Sequence, residues 1–310
     1  MFRNILVPLD GTALADYALP YAARLARHAD ATLHLVRVVE PPMMWQGPGM
    51  EGTYMAATRR DEVMTTMIDQ ATTHLRTAAD RLARTGLHLE TAQLEGLTTS
   101  ALLNYERAAN IDLVTMCGKG RTGLSRVLFG SVADRLLREG SAPVLRVRPF
   151  GAAAVLPQAL IPLDGSAHAE AALDLVEQLV RRQVVREVRL LRVIGAAREG
   201  PEAERYLEMV GQRLERQAIP CRYQVMMGDV VRSIREQAGT DTLVVMATHG
   251  RHGLVRLARG SVTDQVGRGN VAAVLLIREA PKTRANLSIL PIHAERAKVS
   301  ERAPTRMSGS

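Results

Sequence analysis

The chain states one pattern twice. Residues 115–148 align without a gap to residues 245–278, and 15 of these 34 positions are identical. They include Gly120/Gly250, Gly123/Gly253, Arg126/Arg256, Gly130/Gly260, Ser131/Ser261 and Asp134/Asp264. Near the start of each copy, NILVPLDG at 4–11 is answered by QALIPLDG at 158–165. A repeat of this kind limits the fold more than any single motif, because each copy must be a similar structural unit. The offset is 154 residues at the first match and 130 at the second, so copy two is 24 residues shorter. A length of 310 residues agrees, since single cores rarely exceed ~250–300 residues.

Within each copy, short β-branched or apolar runs alternate with helical stretches. The first strand, ILVPL, ends in Asp10-Gly11, and Ala13 to Arg27 reads as one Ala/Leu helix. Thr32 to Val39 reads as a strand, Arg59 to Thr85 as a helix, His88 to Leu94 as a strand and Thr98 to Ala109 as a helix. Asp112 to Cys117, Ser131 to Glu139 and Val144 to Val147 complete the copy as strand, helix and strand. Copy two repeats the series from Leu160 to Ile277. Strands separated by ~10–20-residue helices imply βαβ units and a parallel sheet covered on both faces. The expected fold class is α/β: two Rossmann-like, doubly wound domains, each a five-stranded parallel sheet flanked by helices. Domain one is expected over 1–150, a linker over 151–157 and domain two over 158–279. Residues 280–310 have scattered apolar positions without a period and are expected to be a disordered tail. Each copy ends in an apolar edge strand, and such edges are normally paired or covered. The two domains are therefore expected to pair as an intramolecular pseudo-dimer; homodimerisation of the whole chain is left open.

Charge and composition exclude several classes. The net charge is +8, but the tail from Glu279 holds +3 of it and no long basic block remains elsewhere. Three Phe and one Trp are few for a base-stacking platform, so nucleic acid is not an expected partner. No apolar run approaches the ~20 residues of a membrane span, and no signal-peptide pattern opens the chain. A cytoplasmic protein without membrane contact is expected. Two cysteines and eight histidines without metal-ligand spacing give no metal site.

The chemistry is expected where ligands bind such sheets, outside the carboxyl ends of the strands at the reversal of strand order. Two features fall at that edge. One is the aspartate closing strand one, Asp10 and Asp164. The other is the loop after strand four, CGKGRTGLSRVLFGSV in copy one and ATHGRHGLVRLARGSV in copy two. Glycines let the backbone approach a ligand closely. Backbone N–H groups, followed by Gly-Ser at a helix start, can cradle an anion. The phosphate-site candidates are Gly120, Gly130, Ser131 and Val132, and again Gly250, Gly260, Ser261 and Val262. Lys119 lies in the same loop as the only lysine before the tail, where copy two has His249. Residues 118–123, GKGRTG, also match G-x-G-x-x-G literally. That fingerprint should follow the first strand and open a helix at once; here it follows the fourth strand, so a dinucleotide is not expected.

Strand one ending in P-x-D-G, with G-x2-G-x9-G-[ST] after strand four, resembles the universal stress protein family, here in tandem over residues 2–148 and 158–278. The resemblance implies a stress-response domain that binds adenine nucleotide, ATP with magnesium or manganese, and dimerises through its last strand. In its ATP-binding members the strand-one aspartate and a valine near the end of strand two hold adenosine. Carried over, these are Asp10 and Val38 in copy one, and Asp164 and Val193 in copy two. Where the motif has its first glycine, this chain has Cys117 and Ala247. No catalytic constellation is legible, so a nucleotide-dependent regulatory or interaction module is expected, with slow ATP hydrolysis left open. The alternative is a structural interaction protein of the same fold that binds no ATP. Copy one also carries PPMMWQGPGMEGTYMAATRR between Pro41 and Arg60, an extra segment that reads as a lid, a docking surface or a tolerated insertion.

Overall fold

The structure is a computed structural model and describes residues 2–41, 54–118, 131–149, 155–248, 262–268 and 271–278. The linker positions 151–154, the segment 42–53 with Trp45, and everything from 279 onward lie outside the described residues.

The first strand-forming runs are apolar, and each becomes a central strand buried on both faces, as parallel sheets require. The strands of the first half are β1 (Asn4–Pro8), β2 (Thr32–Val39), β3 (His88–Glu95), β4 (Leu113–Cys117) and β5 (Val144–Val147). Those of the second half are β6 (Gln158–Pro162), β7 (Glu187–Ile194), β8 (Cys221–Met227), β9 (Thr242–Thr248) and β10 (Ala273–Arg278). Among the described residues they form one ten-stranded sheet in the order β3-β2-β1-β4-β5-β10-β9-β6-β7-β8. Pairing is parallel within each half. It is antiparallel only at the junction, where Val144 to Val147 faces Leu276 to Ala273. The two strands that would otherwise be edges thus cover each other.

The helices are α1 (Ala13–Asp16), α2 (Leu19–Ala29), α3 (Tyr54–Ala83), α4 (Thr98–Ala108), α5 (Ser131–Glu139), α6 (Ala167–Arg181), α7 (Gly200–Glu215), α8 (Val230–Gln237) and α9 (Val262–Arg268). One helical layer shares a continuous core across the junction, with Leu25, Leu145, Leu156, Leu179 and Leu275 in the same cluster. The opposite face has two cores, one under the first half and one under the second that also takes in Ala133 of α5 across the junction. There the junction is fastened by arginines of the last strands. Arg278 Nη1 donates to the carbonyls of Arg138 (2.8 Å) and Gly140 (2.9 Å) at the end of α5. Arg146 Nη1 donates to the Gly267 carbonyl at 2.6 Å. Orphan carbonyls at a helix end are well served by such cations.

Two local expectations need correction. The single helix expected over Ala13 to Arg27 is two, α1 and α2, with a break at Tyr17-Ala18. Pro20 sits in the first turn of α2, where its missing N–H costs nothing, but it cannot lie inside a continuous helix. The second half has Asp174 at the matching place, and α6 runs unbroken. The helix expected from Arg59 begins earlier, at Tyr54. It is 30 residues long against 16 for its counterpart α7, so much of the extra length of copy one extends a helix.

Candidate functional site at the carboxyl edge of the sheet

Strand order reverses on either side of the first strand of each half, with β1 between β2 and β4 and β6 between β7 and β9. Asp10 and Asp164 stand exposed at these switch points. Each is fixed by its own turn. Thr12 donates to Asp10 Oδ1 from its amide (2.9 Å) and its hydroxyl (2.5 Å). Ser166 donates to Asp164 Oδ1 at 2.9 and 2.6 Å in the same way. The same hydroxyls then cap α1 and α6, accepting from the amides of Ala15 (3.3 Å) and Ala169 (3.1 Å). All of these turn bonds fall on one carboxylate oxygen, Oδ1. Partial burial alone would raise the Asp164 carboxyl. Its hydrogen bonds to Ser166 and the nearby Arg192 guanidinium outweigh that and hold it below the ordinary value.

The glycines after the aspartates are dictated twice over. Gly11 and Gly165 have φ of +84° and +83°, a region that other L-residues enter at a cost. A Cβ on Gly11 would lie 2.7 Å from Arg37 Nη2, and one on Gly165 would lie 2.8 Å from Arg192 Nη1. Both halves therefore lay a guanidinium from the second strand across the strand-one turn. Arg37 Nη1 donates to the Gln70 carbonyl of α3 at 3.1 Å, while Arg192 stacks over Tyr206 of α7, 5.7 Å from the ring centroid.

Val38 and Val193 lie beside those arginines in sequence but face the opposite helical layer, packing on the core there. Cys117 and Ala247 occupy the ends of β4 and β9, next to the aspartate-bearing strands. Burial pushes the Cys117 thiol up to about 11; Arg146 and Arg148 pull it down and Asp10 pushes it up, without reversing the outcome. It is a protonated, packed side chain rather than a thiolate. Ser131 and Val132 open α5, and Val262 opens α9; both valines pack on the cores beneath their helices. Lys119, Gly120, Gly130, Gly250, Gly260 and Ser261 lie outside the described residues. The structure thus gathers Asp10, Val38, Cys117, Ser131 and Val132 at one end of the first half. It gathers Asp164, Val193, Ala247 and Val262 at the matching end of the second.

Sequence reading missed Arg37 and Arg192, and also the clasps behind them. Asp16 accepts from His74 Nε2 (3.1 Å) and Arg81 Nη1 (3.2 Å), joining α1 to α3. In the second half Glu170 accepts from Tyr206 Oη at 2.9 Å and lies 3.9 Å from Arg213 Nη1. Burial first, and then the hydrogen bond to Glu170, raise the Tyr206 phenol above its ordinary value. The signal was present: Asp16/Glu170 share the 154-residue offset, and His74/Tyr206 and Arg81/Arg213 share an offset of 132. Aligning the copies beyond the glycine loop would have paired them.

Comparison with known proteins bears on the whole arrangement. Residues 1–148 match the sequence model of the universal stress protein family. A universal stress protein of Mycolicibacterium smegmatis is 29% identical over 304 residues, covering 89% of this chain and 97% of the relative. One of Methanocaldococcus jannaschii is 27% identical over 150 residues, covering 48% of this chain and 83% of the relative. In fold, the chain resembles the crystal structure of a universal stress protein from Archaeoglobus fulgidus, with a TM-score of 0.71 at 16% identity over 89% of this chain and 98% of that one. The longer relative and the longer fold run through both halves, and the family match identifies residues 1–148 as a universal stress protein family domain.

Proposed function

We propose that this protein binds ATP, with magnesium or manganese, at the carboxyl edges of its sheet and works as a nucleotide-dependent regulatory or interaction module in stress adaptation. The observation that carries this reading is the duplicated switch point. Twice, an exposed aspartate is held by an Asx turn through one carboxylate oxygen. Twice, a valine near the end of the neighbouring strand packs on the opposite helical layer. In this reading the carboxylate takes ribose hydroxyls, the valine meets the base, and the loop ahead of α5 or α9 takes the phosphates. Dipoles at those helix starts add to the attraction.

The first half is proposed as the stronger site. Its loop carries Gly118 and Lys119 where the second has Thr248 and His249, and a charge-assisted phosphate contact contributes ~1.5–3 kcal/mol. Mass spectrometry of small molecules released by denaturing the freshly purified protein tests the reading. Adenine nucleotide in stoichiometric amount is expected.

A second reading, a structural interaction protein with no ATP, is favoured by two observations. Arg37 and Arg192 already lie across the glycine turns. Cys117 and Ala247 place a Cβ where the family motif has glycine. Protein that releases no nucleotide and takes up none when ATP and the ion are added would establish that reading.

A further inference from the structure

At the other end of the strands, the two halves have built one node with opposite electrostatics. In the first half, His34 of β2 contacts Asn4 Oδ1 through Nε2 (3.3 Å) and Tyr105 Oη through Nδ1 (3.0 Å). Glu90 Oε2 lies 3.4 Å from the same Nδ1. The matching residues of the second half occupy the same places. Asn4 corresponds to Gln158, His34 to Arg189, Glu90 to Arg222 and Tyr105 to Gln237, because the register pair His34↔Glu90 becomes Arg189↔Arg222. The hydrogen bonds correspond as well. Arg189 Nη1 donates to Gln158 Oε1 (3.4 Å) and to the Gln237 carbonyl (3.2 Å), and Nη2 donates to Gln237 Oε1.

The first-half node closes on itself, with a carboxylate beside a buried imidazole. The second-half node has two guanidiniums directly opposite each other on neighbouring strands, an arrangement that is destabilising when uncompensated. Glu187, two residues before Arg189 on the same face of β7, forms no ion pair with either arginine, and Glu236 of α8 is engaged with Arg232. Arg222 is exposed, and its side chain has no hydrogen-bond or ion-pair partner among the described residues. Beside the pair is a half-open cavity of ≈ 220 Å³ lined by Arg189, Arg222, Gln224 and Gln237 together with Tyr223 and three leucines. Such a space holds a small group bearing several oxygens. Guanidinium forks match its oxygens in pairs, and amide N–H groups can supply the remaining donors.

We propose that this node is a binding site for a compact oxyanion, inorganic phosphate or a phosphomonoester, with Arg222 and Arg189 as its cations. It lies at the amino end of the strands and rests on nothing at the Asp10 and Asp164 edge.

The test is thermal unfolding of the full chain against added sodium phosphate, with sodium chloride at equal ionic strength as reference. Ligand that binds only the folded state raises Tm in a saturable way. The parent is expected to show that rise and Arg222→Gln to lose it, while any general salt effect of phosphate stays the same in both. Arg222→Glu restores the charge pattern of the first half, so it is expected to raise Tm without phosphate and to ignore added phosphate. Because Arg222 is exposed, both variants are expected to fold. Broadening of the phosphate ³¹P resonance by the parent, absent with Arg222→Gln, reports binding independently of stability. A larger Tm response to glucose 6-phosphate than to inorganic phosphate assigns the site to phosphomonoesters, the reverse assigns it to free phosphate, and both support it. An unchanged Tm and sharp ³¹P line with the parent, or equal responses in parent and Arg222→Gln, would overturn the proposal.

Discussion

His34 is nearly inaccessible, 3% exposed, and burial holds its imidazole below the ordinary value although Glu90 and Asp112 pull it upward. The direction decides a pH effect. Below about pH 6.5 the unfolded chain protonates this residue, while the folded protein still holds it neutral. The unfolded state then binds more protons, so stability falls on acidification. Urea unfolding at pH 7.5 and 5.5 should show a loss for the parent that is smaller in His34→Gln, by up to ~1.4 kcal/mol per pH unit. A variant losing as much as the parent would place the titration elsewhere. The contribution of Asp164 runs in a separate, more acidic window, because its carboxyl is depressed and its stabilisation is lost only as pH falls through the carboxylate range. At this scale the sequence was informative about which residue types sit at the carboxyl edge and silent about their neighbours. Asp10 and Asp164 could be read from P-x-D-G, but nothing local showed that Arg37 and Arg192 reach across Gly11 and Gly165.

That turn is the element through which strand, helix and site are joined. Gly11→Ala asks for an L-residue at φ +84°, at a cost of ~1–2 kcal/mol. Its Cβ would also press on the Arg37 guanidinium, which is the far end of a flexible chain and can swing aside. Most of the cost should therefore survive in Gly11→Ala/Arg37→Ala, with a coupling below ~1 kcal/mol in a double-mutant cycle by urea unfolding. A fully rescued double variant would show that crowding, not backbone conformation, selects the glycine. The central strands were legible because parallel strands buried on both faces read as apolar runs, whereas the edge strands β3 and β8 are more polar and more exposed. The break between α1 and α2 was not legible, since Ala13 to Arg27 is Ala- and Leu-rich on both sides of it; only Pro20 marked it. The start of α3 was hidden because Tyr54 to Thr58 carries no clear apolar period. Clasps such as Asp16 with His74 and Arg81 join elements far apart in sequence, so they need the register as well as the residues.

At the scale of the molecule, the antiparallel β5–β10 seam makes one sheet of two repeats, and a fragment ending near residue 150 would expose β5 as an apolar edge. Such a fragment is expected to pair with itself through Val144 to Val147, giving a dimer by light scattering; a clean monomer would mean that the seam depends on the second half. The repeat, with an apolar last strand in each copy, made a mutual seam a natural expectation. What it could not show was that one helical layer shares a single core across the seam while the other has two, bridged by Met116 and Leu137. Calorimetric titration of ATP, with magnesium or manganese present, tests nucleotide binding at the two switch points most directly. Gly130→Val and Gly260→Val each put a branched side chain where backbone would meet phosphate. The parent is expected to bind, Gly130→Val to lose most of the heat, and Gly260→Val to keep most of it. No heat from the parent would contradict nucleotide binding itself, and loss only with Gly260→Val would contradict the assignment of the stronger site to the first half.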